Sequence, residues 1–159
     1  MEGRNYIKKH ALLALSVILF TLPARAQEIR ITDGDTLKLK GTTWRLWGID
    51  APEGGQHCRR DGDSYDCGDE ATAALLRIIG EAVPDCRRKD TDRYGRAVGR
   101  CTVDGQDVGA LLVQEGWALD YPRYSGGHYR AQEAQARKDK RGMWAGTFEK
   151  PWEWRKRKP

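Results

Sequence analysis

The run from Glu28 to Ile49, EIRITDGDTLKLKGTTWRLWGI, constrains the fold more than any other stretch of the chain. Apolar and polar residues alternate through Ile29, Ile31, Leu37 and Leu39, and turn signals stand at Asp33-Gly34 and Lys40-Gly41. Successive side chains of a strand point to opposite faces, so the run predicts three strands with one face toward a core. The next stretch, WRLWGIDAPE, breaks the pattern: it holds Arg45 and closes with Asp50 and Glu53 around Pro52. Those polar residues look placed, and the rest of the chain must explain why.

The remaining segments mix helix and strand. DEATAALLRIIGE, from Asp69, reads as a helix with acidic residues in its first turn and Gly80 near its end. Two strands flank Asp92-Arg93-Tyr94-Gly95, a short helix spans about 107–115, WALDY is strand or extended, and a last helix covers about 128–141 before Gly142. Lys138, Lys140 and Arg141 complement the C-terminal end of that helix, so they read as a solvated basic end. The fold expected is α+β and mainly β: a five-stranded OB-type barrel with about three helices packed on it. With 39% hydrophobic residues in 159, the chain suits one globular domain.

The ends are different in kind. Residues 1–26 run from a basic stretch, through ALLALSVILFTL, to Ala24-Arg25-Ala26, which is the pattern of a cleaved secretory signal peptide. The apolar run is shorter than the ~20 residues a membrane span needs, which disfavours an uncleaved anchor. The mature chain, from about Gln27, is then secreted or periplasmic, with no stable membrane association. It keeps 24 basic and 22 acidic residues. The tail, residues 148–159, ends in RKRKP, which alone carries four of those bases, so the net charge of the whole says little about nucleic acid and any anion site must be local. This tail is expected to be an exposed affinity element outside catalysis, beyond a domain spanning 27–147.

Export favours disulfides among the four cysteines. Cys86 and Cys101 are equidistant from the turn at 92–95, so a hairpin there sets them directly opposite. That leaves Cys58 with Cys67, closing the polar loop CRRDGDSYDC, which has no apolar periodicity of its own. Zinc through His57, Cys58 and Cys67 matches no common spacing. The acids of this loop lack the spacing and glycine of an EF-hand.

The chemistry gathers elsewhere. Asp33 and Asp35 project from one face of an extended chain, with Gly34 allowing a tight turn between them. Arg45 and Asp50 have opposite parity, so a regular strand cannot bring them together; Pro52 resolves part of this, because the segment leaves the sheet around Asp50 and frees that carboxylate and Glu53 to turn back. Clustered carboxylates with an open carbonyl form a hard oxygen site of the kind calcium accepts, and neighbouring arginines suit phosphate.

In order and separation, ITDGDTLKL, RLWGIDAPE and TDRYGRAVG, followed by LLVQEGWA and EAQARKDKRGMW, resemble the motif series of the thermonuclease (staphylococcal nuclease) family. The likeness spans about residues 29–144. It implies an OB-fold, calcium-dependent nuclease that cleaves the P–O5′ bond of DNA or RNA, expected to act as a monomer. By motif, Asp35 and Asp50 resemble the calcium carboxylates, with the Ala51 carbonyl as a further ligand and Asp33 and Thr36 just behind them. Glu53 resembles the general base, or the residue that orients the attacking water. Arg45 and Arg96 resemble the pair gripping the scissile phosphate, and Arg93 and Tyr94 resemble nucleotide contacts. DYPRYS is similar to the base-stacking region, with Tyr121 and Tyr124 both candidates and barrel packing the competing role. Ala51 stands where the best-known member has threonine, and residues 54–67 form a longer loop. The rival reading is a noncatalytic OB module that binds nucleic acid.

Overall fold

A computed structural model describes residues 29–157, so the signal segment and its junction at Gln27 lie outside the described residues. The opening run folds as its alternation requires: β1 (Ile29–Asp33), β2 (Thr36–Leu39) and β3 (Thr42–Leu46) form an antiparallel meander. Leu37, Leu39 and Leu46 are buried while Lys38 is exposed, which fixes the register.

The chain then bends, and earlier than Pro52. Gly48 has φ +74°, a conformation that L side chains rarely adopt, and it separates β3 from β4 (Ile49–Asp50). This glycine supplies the bend, ahead of the exit at Asp50, that lets Arg45 and Asp50 escape their opposite parity.

Residues 57–66, expected as an irregular loop, form the hairpin β5 (His57–Arg60) and β6 (Asp63–Asp66). Its turn is Asp61-Gly62, and Cys58–Cys67 closes its base. Asp66 also starts helix α1 (Cys67–Ile79), its carboxylate accepting the Asp69 N–H at 2.9 Å. Beyond α1, β7 (Asp85–Thr91) and β8 (Ala97–Val103) pair with Cys86 directly opposite Cys101, and these two are disulfide-bonded. The register shifts by one between Arg88 and Asp90, so a bulge takes up the odd residue of the 92–96 turn.

After β9 (Gln106–Asp107) come α2 (Val108–Gln114), β10 (Leu119–Asp120), α3 (Pro122–Ser125), α4 (Arg130–Lys138) and α5 (Pro151–Arg157). The three helices expected from periodicity are α1, α2 and α4; the short α3 and the tail helix α5 are additional.

The main sheet runs β1-β2-β3-β8-β7, with β3 and β8 parallel and β9 added on β8. This is the α+β, OB-type architecture. α1, α2 and α4 bury Leu75, Leu112 and Tyr129 against Leu37, Leu46 and Ile49. A smaller cluster joins the Cys58–Cys67 disulfide to Leu119 and Met143, and Phe148 and Trp152 of the tail pack on it. The tail is thus part of the packed structure: Lys156 and Arg157 are exposed as expected, and Arg155 is not.

Candidate active site

The floor of the site is made where the meander meets β4. Asp35 sits in the β1–β2 turn, pressed against α1; a Cβ on Gly34 would lie 2.7 Å from that of Ala71, so only glycine permits this approach. Asp50 is 0% exposed in β4, which pairs with β10 (Leu119 opposite Asp50). Arg45, opposite Thr36 in the β2–β3 ladder, joins the two carboxylates: Nη1 donates to Asp35 Oδ1 and Nη2 to Asp50 Oδ1 at 2.5 Å.

Neighbouring groups complete the floor. Thr36 Oγ1 donates to Asp35 Oδ1 at 3.1 Å, and the Ala51 N–H donates to Asp35 Oδ2 at 3.1 Å. The Asp33 carboxylate accepts the Asp35 N–H at 3.1 Å. Burial and the charge of Asp35 raise Asp33 to about 7. Burial raises Asp50 to about 6, against the pull of its arginine partners. Three carboxylates, Asp33, Asp35 and Asp50, therefore crowd one place, and it is a place that favours positive charge.

Of the expected residues, Arg45, Glu53, Arg93, Tyr94, Arg96, Tyr121 and Tyr124 line one open groove of about 820 Å³, whereas Asp33, Asp35, Thr36, Asp50 and Ala51 do not line it and connect to it through Arg45. Arg96 is held by Asp92, Nε to Oδ2 at 2.7 Å, and reaches Thr36 Oγ1 at 3.5 Å. Tyr94 is 68% exposed, with the Arg93 guanidinium 4.7 Å from its ring centroid. The two candidate stacking tyrosines differ. Tyr121 already stacks on Trp152, centroids 4.8 Å apart and 2° from parallel, whereas Tyr124 remains exposed with Arg123 near its ring.

Two residues were not foreseen. Gln56 is fully buried: its Oε1 accepts the Glu53 N–H at 3.2 Å and its Nε2 donates to the Glu149 carbonyl at 2.8 Å, so it ties the Glu53 loop to the tail. Arg155, expected in an exposed tail, enters the site. It grips Asp50 with both terminal nitrogens, at 2.9 and 2.8 Å, and Glu53 Oε1 at 2.5 Å. The available signal was the Trp152-x-Trp154 spacing, which marks a tail with something to bury.

Among the described residues no group of three or more His, Cys, Asp or Glu side chains is arranged to hold a metal. Asp35 and Asp50 nevertheless converge on one guanidinium with hard anionic oxygens. They fit a cation that draws most of its coordination from water and substrate oxygens.

Residues 43–146 match the family model described as staphylococcal nuclease homologue. The chain belongs to this family. It is 35% identical to the succinoglycan biosynthesis protein ExoI of Rhizobium meliloti, over 82% of this chain and 72% of that one. It is 31% identical to protein ParB of Escherichia coli, over 98% of this chain and 95% of that one. The probable staphylococcal-like nuclease CAN1 of Oryza sativa is 35% identical over 79% of this chain, which spans about a third of that protein's length (36%). Within the staphylococcal nuclease homologues, this chain carries Arg45, Asp50, Glu53 and Arg96 inside the matched segment. Asp35 lies just before it.

Proposed function

We propose that the chain is an exported, calcium-dependent nuclease that hydrolyses phosphodiester bonds of DNA or RNA at the P–O5′ bond. The observation that carries this reading is the Arg45 bridge between two buried carboxylates, with Glu53 and Arg96 facing the same groove. Nuclease-named relatives support the reaction class. Two disulfides are consistent with an oxidising compartment, and no described helix is long and apolar enough to cross a membrane.

The chain's own residues divide the work. Attack on a phosphodiester builds charge on the equatorial oxygens, and the Arg45 and Arg96 guanidiniums, which border the groove, would take that charge as donors. Glu53 borders the groove and orients the attacking water or accepts its proton. Tyr94 and Tyr124 offer exposed rings for bases, each beside an arginine. Asp35, Asp50 and the Ala51 carbonyl would hold calcium, which supplies Lewis-acid stabilisation of the phosphate oxygens when bound.

The test is cleavage of labelled single- and double-stranded DNA and RNA by the purified chain, with and without chelator. Calcium-restored cleavage is expected. Retained binding without cleavage under any cation would favour a noncatalytic OB module. Intact-mass measurement of exported protein checks the start at Gln27.

A further inference from the structure

The C-terminal helix has a defined route into the site. Arg59 and Thr147 exchange two backbone hydrogen bonds of 2.9 Å, so the β5–β6 hairpin holds the chain where the tail begins. Two residues on, Gln56 holds the Glu149 carbonyl. Trp152 then lies flat on Tyr121 at the groove wall. With these fixings, α5 delivers Arg155 onto Asp50 and Glu53.

This contact is exclusive. Asp50 Oδ1 accepts from both Arg45 and Arg155, and Oδ2 accepts from Arg155. Asp50 has no surface open to solvent. A cation can therefore ligate Asp50 only where a guanidinium withdraws. The two arginines are not equally held. Arg45 comes from the middle of the sheet, its side chain 17% exposed and bound to two buried carboxylates; Arg155 comes from the last helix, 36% exposed, and one of its partners is the half-buried Glu53. Arg155 is the more exposed of the two, and the space beside it is the groove lined by Arg45, Arg96 and Tyr94.

We propose that Arg155 is a third phosphate-binding arginine of this site, held on Asp50 and Glu53 until a divalent cation takes Asp50, and then turned to the phosphate of the bound strand. Its planar fork suits two phosphate oxygens as it suits the two oxygens of Asp50. Once a strand is bound the guanidinium has exchanged one anionic partner for another, so its charge is again paired. This proposal rests on the nuclease reading of the same site.

The test compares wild type, R155A and R155K in two measurements, after thermal melting confirms that each is folded. Calorimetric titration with calcium alone, in the absence of nucleic acid, is expected to show R155A binding about tenfold more tightly, because its competitor is gone. R155K should fall between, having the charge without the fork. Single-turnover cleavage of a labelled single-stranded oligonucleotide at saturating calcium should fall in R155A by roughly 30- to 100-fold, through the lost phosphate donors. Unchanged calcium affinity in R155A would overturn the exchange. Cleavage by R155A as fast as wild type, or faster, would reduce Arg155 to a plug and overturn its phosphate role. A wild type that cleaves nothing overturns the nuclease reading itself, and the proposal with it; a cleaving wild type paired with either adverse R155A result sinks the proposal alone.

Discussion

The floor of the site and its C-terminal wall are built by different rules. The floor, Asp35 and Arg45 of the meander with Asp50 of β4, is buried and is fixed by ladder register and by the bend at Gly48. The wall, α5 with Trp152 and Arg155, is a terminal helix that reaches the site through a disulfide-closed hairpin and one buried glutamine. Both present arginine to the same carboxylate. The difference teaches that a buried guanidinium on a sheet is a fixture, whereas one on a tethered helix has somewhere else to go.

Perturbing the floor should have the largest effect. Arg45→Ala leaves two buried carboxylates less compensated, so chemical denaturation should show a loss of about 3–5 kcal/mol. Any folded fraction should cleave about a hundredfold more slowly. Arg45→Lys sharpens the comparison: charge without the fork should recover stability better than turnover.

Next comes the tether. Replacing Cys58 and Cys67 together by alanine should cost about 2–4 kcal/mol in a denaturant titration, and so should removing the Cys86–Cys101 bridge. The two should part in hydrogen exchange. Loss of Cys58–Cys67 is expected to raise exchange through residues 147–157, because it loosens the hairpin that holds Thr147, while loss of Cys86–Cys101 should leave that segment protected. Equal protection in both variants would break the distinction between floor and wall.

Smaller effects are expected at the rim. Tyr94→Ala should weaken oligonucleotide binding by about 1–3 kcal/mol, read by anisotropy. Trp152→Ala should cost about 0.5–1.5 kcal/mol of stability from the lost stack on Tyr121, with a modest fall in cleavage as α5 loses its seat.

How much was legible follows from the same contrast. The floor is legible through strand alternation and the Asp33-Gly34-Asp35 triplet, which are local patterns with short-range physical meaning, and through the motif series that joins Arg45 and Asp50 to them despite their opposite parity. The exit from the sheet around Asp50 is legible from Pro52 and is where β4 ends, but the bend at Gly48 is not, because proline is a louder breaker than the glycine four residues before it. The hairpin at 57–66 carried only its Asp61-Gly62 turn signal, since each strand gives a single side chain, Cys58 or Tyr65, to the packed face, too few to show alternation. Arg155 was hidden by its neighbours: in RKRK each residue looks equally solvated, and only the tertiary route through Thr147, Gln56 and Trp152 singles one out. Gln56 gave no signal, because one amide in a polar stretch looks like any other.

The measurement that bears most directly on the central claim is single-turnover cleavage by wild type and Glu53→Gln in calcium, with chelator reversal as control. The substitution keeps size and most hydrogen bonding while removing the charge that orients or deprotonates water. The account predicts chelator-sensitive cleavage by wild type, and a fall of about 100-fold or more in the variant with oligonucleotide binding retained. Wild-type protein that cleaves neither DNA nor RNA with calcium, or a Glu53→Gln variant that cleaves as fast as wild type, would contradict it.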